Sequence, residues 1–206
     1  MVEQPRLRVA VLASGEGTNL QALLDGVHGR EATIVAVGVD KPEAPALARA
    51  LRADVVTGVF EGGTYADRTA RDTAISSWLQ ELDVQLVVLA GYMALLSPTF
   101  TAAWAGRLIN VHPSLLPAFP GMRAIEQALD YGVKVFGVTV HLVDDGVDTG
   151  QILAQCAVDL PSARQVAEVR SVLRPLEHAL LCDVVRRYAR GEIRPDPAHP
   201  RRILVG

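Results

Sequence analysis

The chain predicts an α/β fold, a mostly parallel sheet flanked by helices with an antiparallel portion in its C-terminal half. Three observations predict it. Through the first half, apolar runs of strand length alternate with amphipathic stretches of helical period, the rhythm of β-α-β units. The first run leads into a glycine-bearing turn and then a helical pattern, which makes the architecture Rossmann-like. In the second half, two strand-like runs flank an Asp/Gly-rich loop and suggest an antiparallel pair.

The elements follow in order. Leu7-Arg8-Val9-Ala10-Val11-Leu12-Ala13 reads as a buried strand, and Ser14-Gly15-Glu16-Gly17-Thr18-Asn19 as the turn after it. The spacing of Leu20, Leu23, Leu24 and Val27 predicts a helix over 18–28, for which Thr18 or Asn19 would be an ordinary cap. Further strands are expected at 34–39, 55–59, 84–90, 107–111, 135–143 and 152–158, with helices at 44–52, 65–82, 97–104 and 122–131. A long helix from Ala163 to Tyr188 closes the chain and carries Pro175 in its interior, where proline disrupts helix geometry. The tail from Arg194 to Pro200 reads as extended and surface-lying. Crossover handedness places ligands at the carboxyl ends of parallel strands, so the loops after 7–13 and 107–111 should open on one side.

Bulk properties narrow the function. The 206 residues suit one domain, 1–206, able to bury a substantial core. Half the residues are apolar and the net charge is −3, with no basic excess to suggest a nucleic-acid partner. The run from Val84 to Ala90 is far short of the ~20 apolar residues that a membrane span needs, and Met1-Val2-Glu3-Gln4-Pro5 has no signal-peptide character. A cytoplasmic setting is expected, with no membrane partner. Cys156 and Cys182 read as two separate buried thiols rather than a disulfide or a zinc pair.

Three segments carry chemistry. Asn110-Val111-His112-Pro113-Ser114-Leu115-Leu116-Pro117 places an amide, an imidazole and a hydroxyl directly after a strand, on a backbone stiffened by Pro113, Pro117 and Pro120. Such a loop suits a proton-transfer group and an oxyanion donor; it equally suits a plain Pro-rich turn with one solvated histidine. Downstream, Val135 to Val143 alternates like a strand with His141 inside it, then runs into Asp144-Asp145-Gly146-Val147-Asp148-Thr149-Gly150. An Asp on that loop would stabilise a His112 imidazolium and fix its ring if the fold brought the two together. Near the N-terminus, strand, glycine turn and helix make an anion cradle from free N–H groups. It is not the dinucleotide fingerprint, because Leu20 stands where the third glycine belongs, and no Gly-Lys-Ser/Thr marks a Walker loop. Of the other histidines, His28 reads as structural or solvated near a helix end, His178 as helix surface, and His199 as solvent-facing.

Together these segments resemble the 10-formyltetrahydrofolate-dependent formyltransferases, from about Leu7 to Ile193, with His-Pro-Ser-Leu-Leu-Pro and the spaced Asp-x-Gly pattern as the specific signals. The resemblance implies the formyltransferase fold and formyl transfer from 10-formyltetrahydrofolate to the amine of 5-phosphoribosylglycinamide, with no metal. It places the catalytic residues on Asn110, His112 and Asp148, and substrate binding on Gly17, Thr18, Asn19 and Glu177. Folate contacts fall on Arg68, the main chain of Met93, Ala94, Leu95 and Leu96, and on Asn110, Val140, His141 and Asp144. A monomer or homodimer is expected. There are departures: Glu16 stands in the anion loop and should face solvent, Ala94 stands where many relatives carry arginine, and Arg123 and Ile125 where some carry histidines. Relatives acting on methionyl-tRNA or hydrolysing the formyl group would need additional domains that do not fit 206 residues. A non-catalytic nucleotide-binding module would explain the loop and sheet but not Asn110, His112 and Asp148 together.

Overall fold

The computed structural model describes residues 6–206; residues 1–5, on which the reading of the N-terminus rests, lie outside them. Seven strands form one sheet: β1 (Leu7–Ala13), β2 (Ala32–Val39), β3 (Val56–Val59), β4 (Leu86–Leu89), β5 (Leu108–His112), β6 (Val135–Leu142) and β7 (Ile152–Asp159). Their spatial order is β3-β2-β1-β4-β5-β6-β7. The first five run parallel, while β5–β6 and β6–β7 are antiparallel. The connecting helices are α1 (Thr18–Gly26), α2 (Pro45–Arg52), α3 (Arg68–Glu81), α4 (Pro98–Ala103), α5 (Ala124–Tyr131) and α6 (Val166–Ala189).

The near-continuous apolar strands are explained by burial on both sheet faces. Along β1 the side chains alternate: Val9, Val11 and Ala13 join the larger core under α1, α2, α5 and α6, while Ala10 and Leu12 join a second core with Ile75, Leu79, Phe100 and Trp104. The chain leaves β1 toward β2 in one direction and reaches β4 and β5 in the other. The strand order therefore reverses between β1 and β4, and a crevice opens there at the carboxyl ends.

Two expectations change. The helix after β1 is not capped by Thr18 or Asn19, because Thr18 is already its first residue. Its cap is Gly17 in the left-handed region, φ 68°, with no side-chain bond. A Cβ on Gly17 would lie 2.8 Å from Ala46 Cβ, so both the turn and the packing of α2 select glycine. The long helix expected from Ala163 to Tyr188 is present as α6, with Pro175 in its interior. The tail is not merely extended: β8 (Ile193–Pro195) and β9 (Ile203–Val205) pair as a small antiparallel sheet. Among the described residues, no helix is long and apolar enough to cross a membrane.

Candidate active site

A cleft of about 660 Å³ opens over the carboxyl ends of the strands, within the usual range for small-molecule sites. Its floor is built by the antiparallel register of β5 and β6, which sets Asn110 directly opposite His141 and His112 opposite Thr139. Ile109 and Val111 point into the larger core, which leaves Asn110 and His112 on the cleft side of the strand.

His112 is 5% exposed. Its Nε2 donates to the Phe119 carbonyl at 2.9 Å, and its Nδ1 lies 3.3 Å from Asp148 Oδ2. Because a carbonyl can only accept, Nε2 carries a proton. A second proton on Nδ1 would complete the contact with the carboxylate, so the geometry suits the imidazolium. The loop beyond β5 is held rigidly: Ser114 Oγ donates to the Ala118 carbonyl at 2.6 Å, and buried Thr139 donates to the Ser114 carbonyl at 2.7 Å and accepts from Leu116 N–H.

Asp148 stands on the β6–β7 loop with φ 53°, an uncommon conformation for a side-chain-bearing residue. Asp144 shapes the loop by accepting from Gly146 N–H and Thr149 Oγ, as turn chemistry predicts. At Gly150 a Cβ would fall onto the Leu142 carbonyl. The Asp148 carboxylate accepts from Gly121 N–H at 2.7 Å and lies 3.4 Å from both Asn110 Nδ2 and His141 Nε2. Burial pushes its carboxyl upward, but the hydrogen bonds from His141 and Gly121 and the charges of His112 and His141 outweigh that, and it sits at about 2. His141 is fixed by Nδ1, which donates to the Leu142 carbonyl at 2.8 Å; a proton on Nε2 then serves Asp148, and the Asn110 amide nitrogen lies 3.2 Å from the same ring atom.

The N-terminal loop contributes unequally. Thr18 lines the cleft, Gly17 serves as the turn, and Asn19 is buried with its Nδ2 donating to Glu177 Oε2 at 3.2 Å. Burial pushes the Glu177 carboxyl up, partly opposed by the Asn19 bond and by Arg174 and Arg170. Glu16 faces solvent as expected, yet Arg174 reaches it at 3.2 Å. Arg170 and Arg174 line this end of the cleft and are absent from the residues chosen by sequence. Their spacing from Glu177, at i, i+4 and i+7 on one helix face, is the signal that would have found them.

Opposite, Arg68, Met93, Ala94, Leu95, Leu96 and Asp144 line the cleft, as do Arg123 and Ile125. Val140 does not. Its side chain is fully buried in the larger core, because strand alternation turns it away from the face that His141 occupies. Gly121, whose N–H meets Asp148, also escaped sequence reading, since a backbone donor leaves no mark on residue type.

Comparison with known proteins gives one family. The formyl transferase family matches residues 7–185. The chain is 38% identical over 189 residues to phosphoribosylglycinamide formyltransferase of Haemophilus influenzae, covering 91% of this chain and 89% of that protein. It is 41% identical over 195 residues to the trifunctional purine biosynthetic protein adenosine-3 of Bos taurus, covering 94% of this chain and spanning 19% of that protein's length. The crystal structure of glycinamide ribonucleotide transformylase 1 from Symbiobacterium toebii superposes with a TM-score of 0.92 at 41% identity, over 97% of this chain and 94% of that one.

Proposed function

The chain belongs to the formyl transferase family, and from that premise we propose that it transfers a formyl group from 10-formyltetrahydrofolate to the amine of 5-phosphoribosylglycinamide, a step of purine biosynthesis. The observation that carries this reading is the meeting of Asn110, His112 and Asp148 at the floor of a cleft with chemically different ends. One end has Thr18 at a helix start with Arg170, Arg174 and Glu177, a setting for a phosphate and a neighbouring polar group. The other has the Met93–Leu96 backbone, Arg68 and Asp144, which suit the donor and acceptor edge and the carboxylate tail of a folate.

In the proposed chemistry the neutral amine attacks the formyl carbon. A nitrogen–carbon bond forms while the carbonyl oxygen takes up negative charge. Protonated His112 and the Asn110 amide stabilise that oxygen; the amide's contacts to His141 and Asp148, at 3.2 and 3.4 Å, are long enough to be exchanged for a better acceptor. Asp148, ionised far below neutral pH, keeps His112 charged and relays the amine proton toward the folate nitrogen as the old carbon–nitrogen bond breaks. We propose a single domain acting in the cytoplasm as a monomer or homodimer, without nucleic acid. The test is formyl transfer by purified protein with phosphoribosylglycinamide and with water as competing acceptors. The reading expects N-formyl product in one-to-one yield with tetrahydrofolate; release of formate at the same rate without the amine would overturn it.

A further inference from the structure

The buried, apolar face of α3 includes Ile75 and Leu79, but one turn earlier it becomes ionic. Arg71 is 7% exposed and Asp72 1% exposed, and they pair with each other at 2.7 Å. Burying an ion pair from adjacent residues of one helix is a weak device for holding a fold together, because desolvation offsets the attraction. What the pair reaches is more specific. Arg71 Nη2 also donates to the Leu95 carbonyl at 2.8 Å, and Asp72 Oδ2 accepts from Ser97 N–H at 2.5 Å.

Those contacts fall on the segment that lines one end of the cleft. Met93 and Leu95 are 63% and 67% exposed, so their side chains do not lock the segment by packing. Its backbone is fixed from behind by polar side chains: Ser14 Oγ accepts from Met93 N–H at 2.8 Å, Arg71 takes the Leu95 carbonyl, and Asp72 takes the N–H of Ser97, the residue that caps α4. The anchors alternate along the chain, on residues 93, 95 and 97.

We propose that Arg71 and Asp72 are positioning residues that hold the Met93–Leu96 backbone in register for the folate co-substrate, an inference that rests on the functional reading above. They touch no reacting atom. They set the affinity of one end of the cleft and leave the phosphate end alone.

The experiment replaces the pair by apolar residues of similar size, Arg71→Met with Asp72→Leu, and separately makes Arg71→Lys, which keeps the charge but not the forked contact to both Asp72 and Leu95. Steady-state kinetics, thermal stability and amide hydrogen exchange of 93–97 are measured for each. The apolar double variant leaves the Leu95 carbonyl and Ser97 N–H without these partners and should be no more stable than wild type, while its KM for 10-formyltetrahydrofolate rises about tenfold, the scale of one lost charge-assisted hydrogen bond. Its KM for phosphoribosylglycinamide should stay unchanged, and the Ser97 amide, which loses Asp72 as its acceptor, should exchange faster. Arg71→Lys should fall between, and it serves as the decisive variant if the double one fails to fold. A folate KM that stays put while stability drops, or equal weakening of both substrates, overturns the proposal. Should the wild type transfer no formyl group, the functional reading fails on its own. Hydrogen exchange still decides whether the clamp exists, and unchanged exchange at Ser97 would mean that it does not.

Discussion

Replacing Asp148 by Asn removes a charge at nearly constant shape, and the structure sets the size of the effect. The carboxyl sits at about 2 against an ordinary 3.8. At ~1.36 kcal/mol per pH unit, the folded protein favours the ionised form by about 2 kcal/mol. The sign follows from the direction of the shift. A carboxyl whose folded value is depressed contributes stability that is complete above its unfolded value and disappears as pH falls through the folded one. Asp148→Asn should therefore lower unfolding stability by roughly 2 kcal/mol near neutral pH. The gap to wild type should hold until about pH 4 and close toward pH 2. Urea unfolding of both proteins at stepped pH measures this directly. Equal stability at neutral pH, or a gap undiminished at pH 2, would refute the claim that Gly121, His141 and His112 hold a charged Asp148.

Two further outcomes are expected. Gly17→Val forces a branched side chain into the left-handed region and onto Ala46; it should cost about 1–3 kcal/mol of stability and, in calorimetric titration, weaken phosphoribosylglycinamide far more than folate. Equal loss of both ligands would remove the N-terminal loop from the phosphate end. Glu177→Gln tests the opposite linkage. Burial raises the Glu177 carboxyl, so its ionised form subtracts stability above its unfolded range. The variant should be at least as stable as wild type at pH 7, with the difference vanishing below about pH 4, while its KM for phosphoribosylglycinamide rises. A variant less stable at neutral pH than in acid would contradict that.

The sheet was legible because each of its seven strands is an apolar run between turn signals, and the β-α-β rhythm alone implies parallel pairing. The small β8–β9 sheet was not. Three-residue strands with Pro195 in one of them carry too little pattern to separate from an extended tail. At the candidate site, Asn110, His112 and Asp148 stand out as polar residues on strand ends and loops. Their meeting depends on the β5–β6 register and on a left-handed residue at 148, neither of which sequence spacing reveals. Period-2 alternation was sufficient to see that Val140 and His141 cannot both face the cleft. Arg71 and Asp72 were hidden for another reason: within a helix segment flanked by Arg68 and Glu81, two more charges read as a solvated face.

The proposed chemistry requires His112 and Asp148 to act as one unit. Single-turnover formyl transfer should be measured for wild type, His112→Ala, Asp148→Asn and the double variant, with both ligands saturating. Each single substitution should slow transfer by roughly 10²-fold or more, and the double variant should be little slower than the worse single one. Losses that multiply, or a transfer rate untouched by Asp148→Asn, would show that Asp148 only shapes its loop and that the pair has no part in the chemistry.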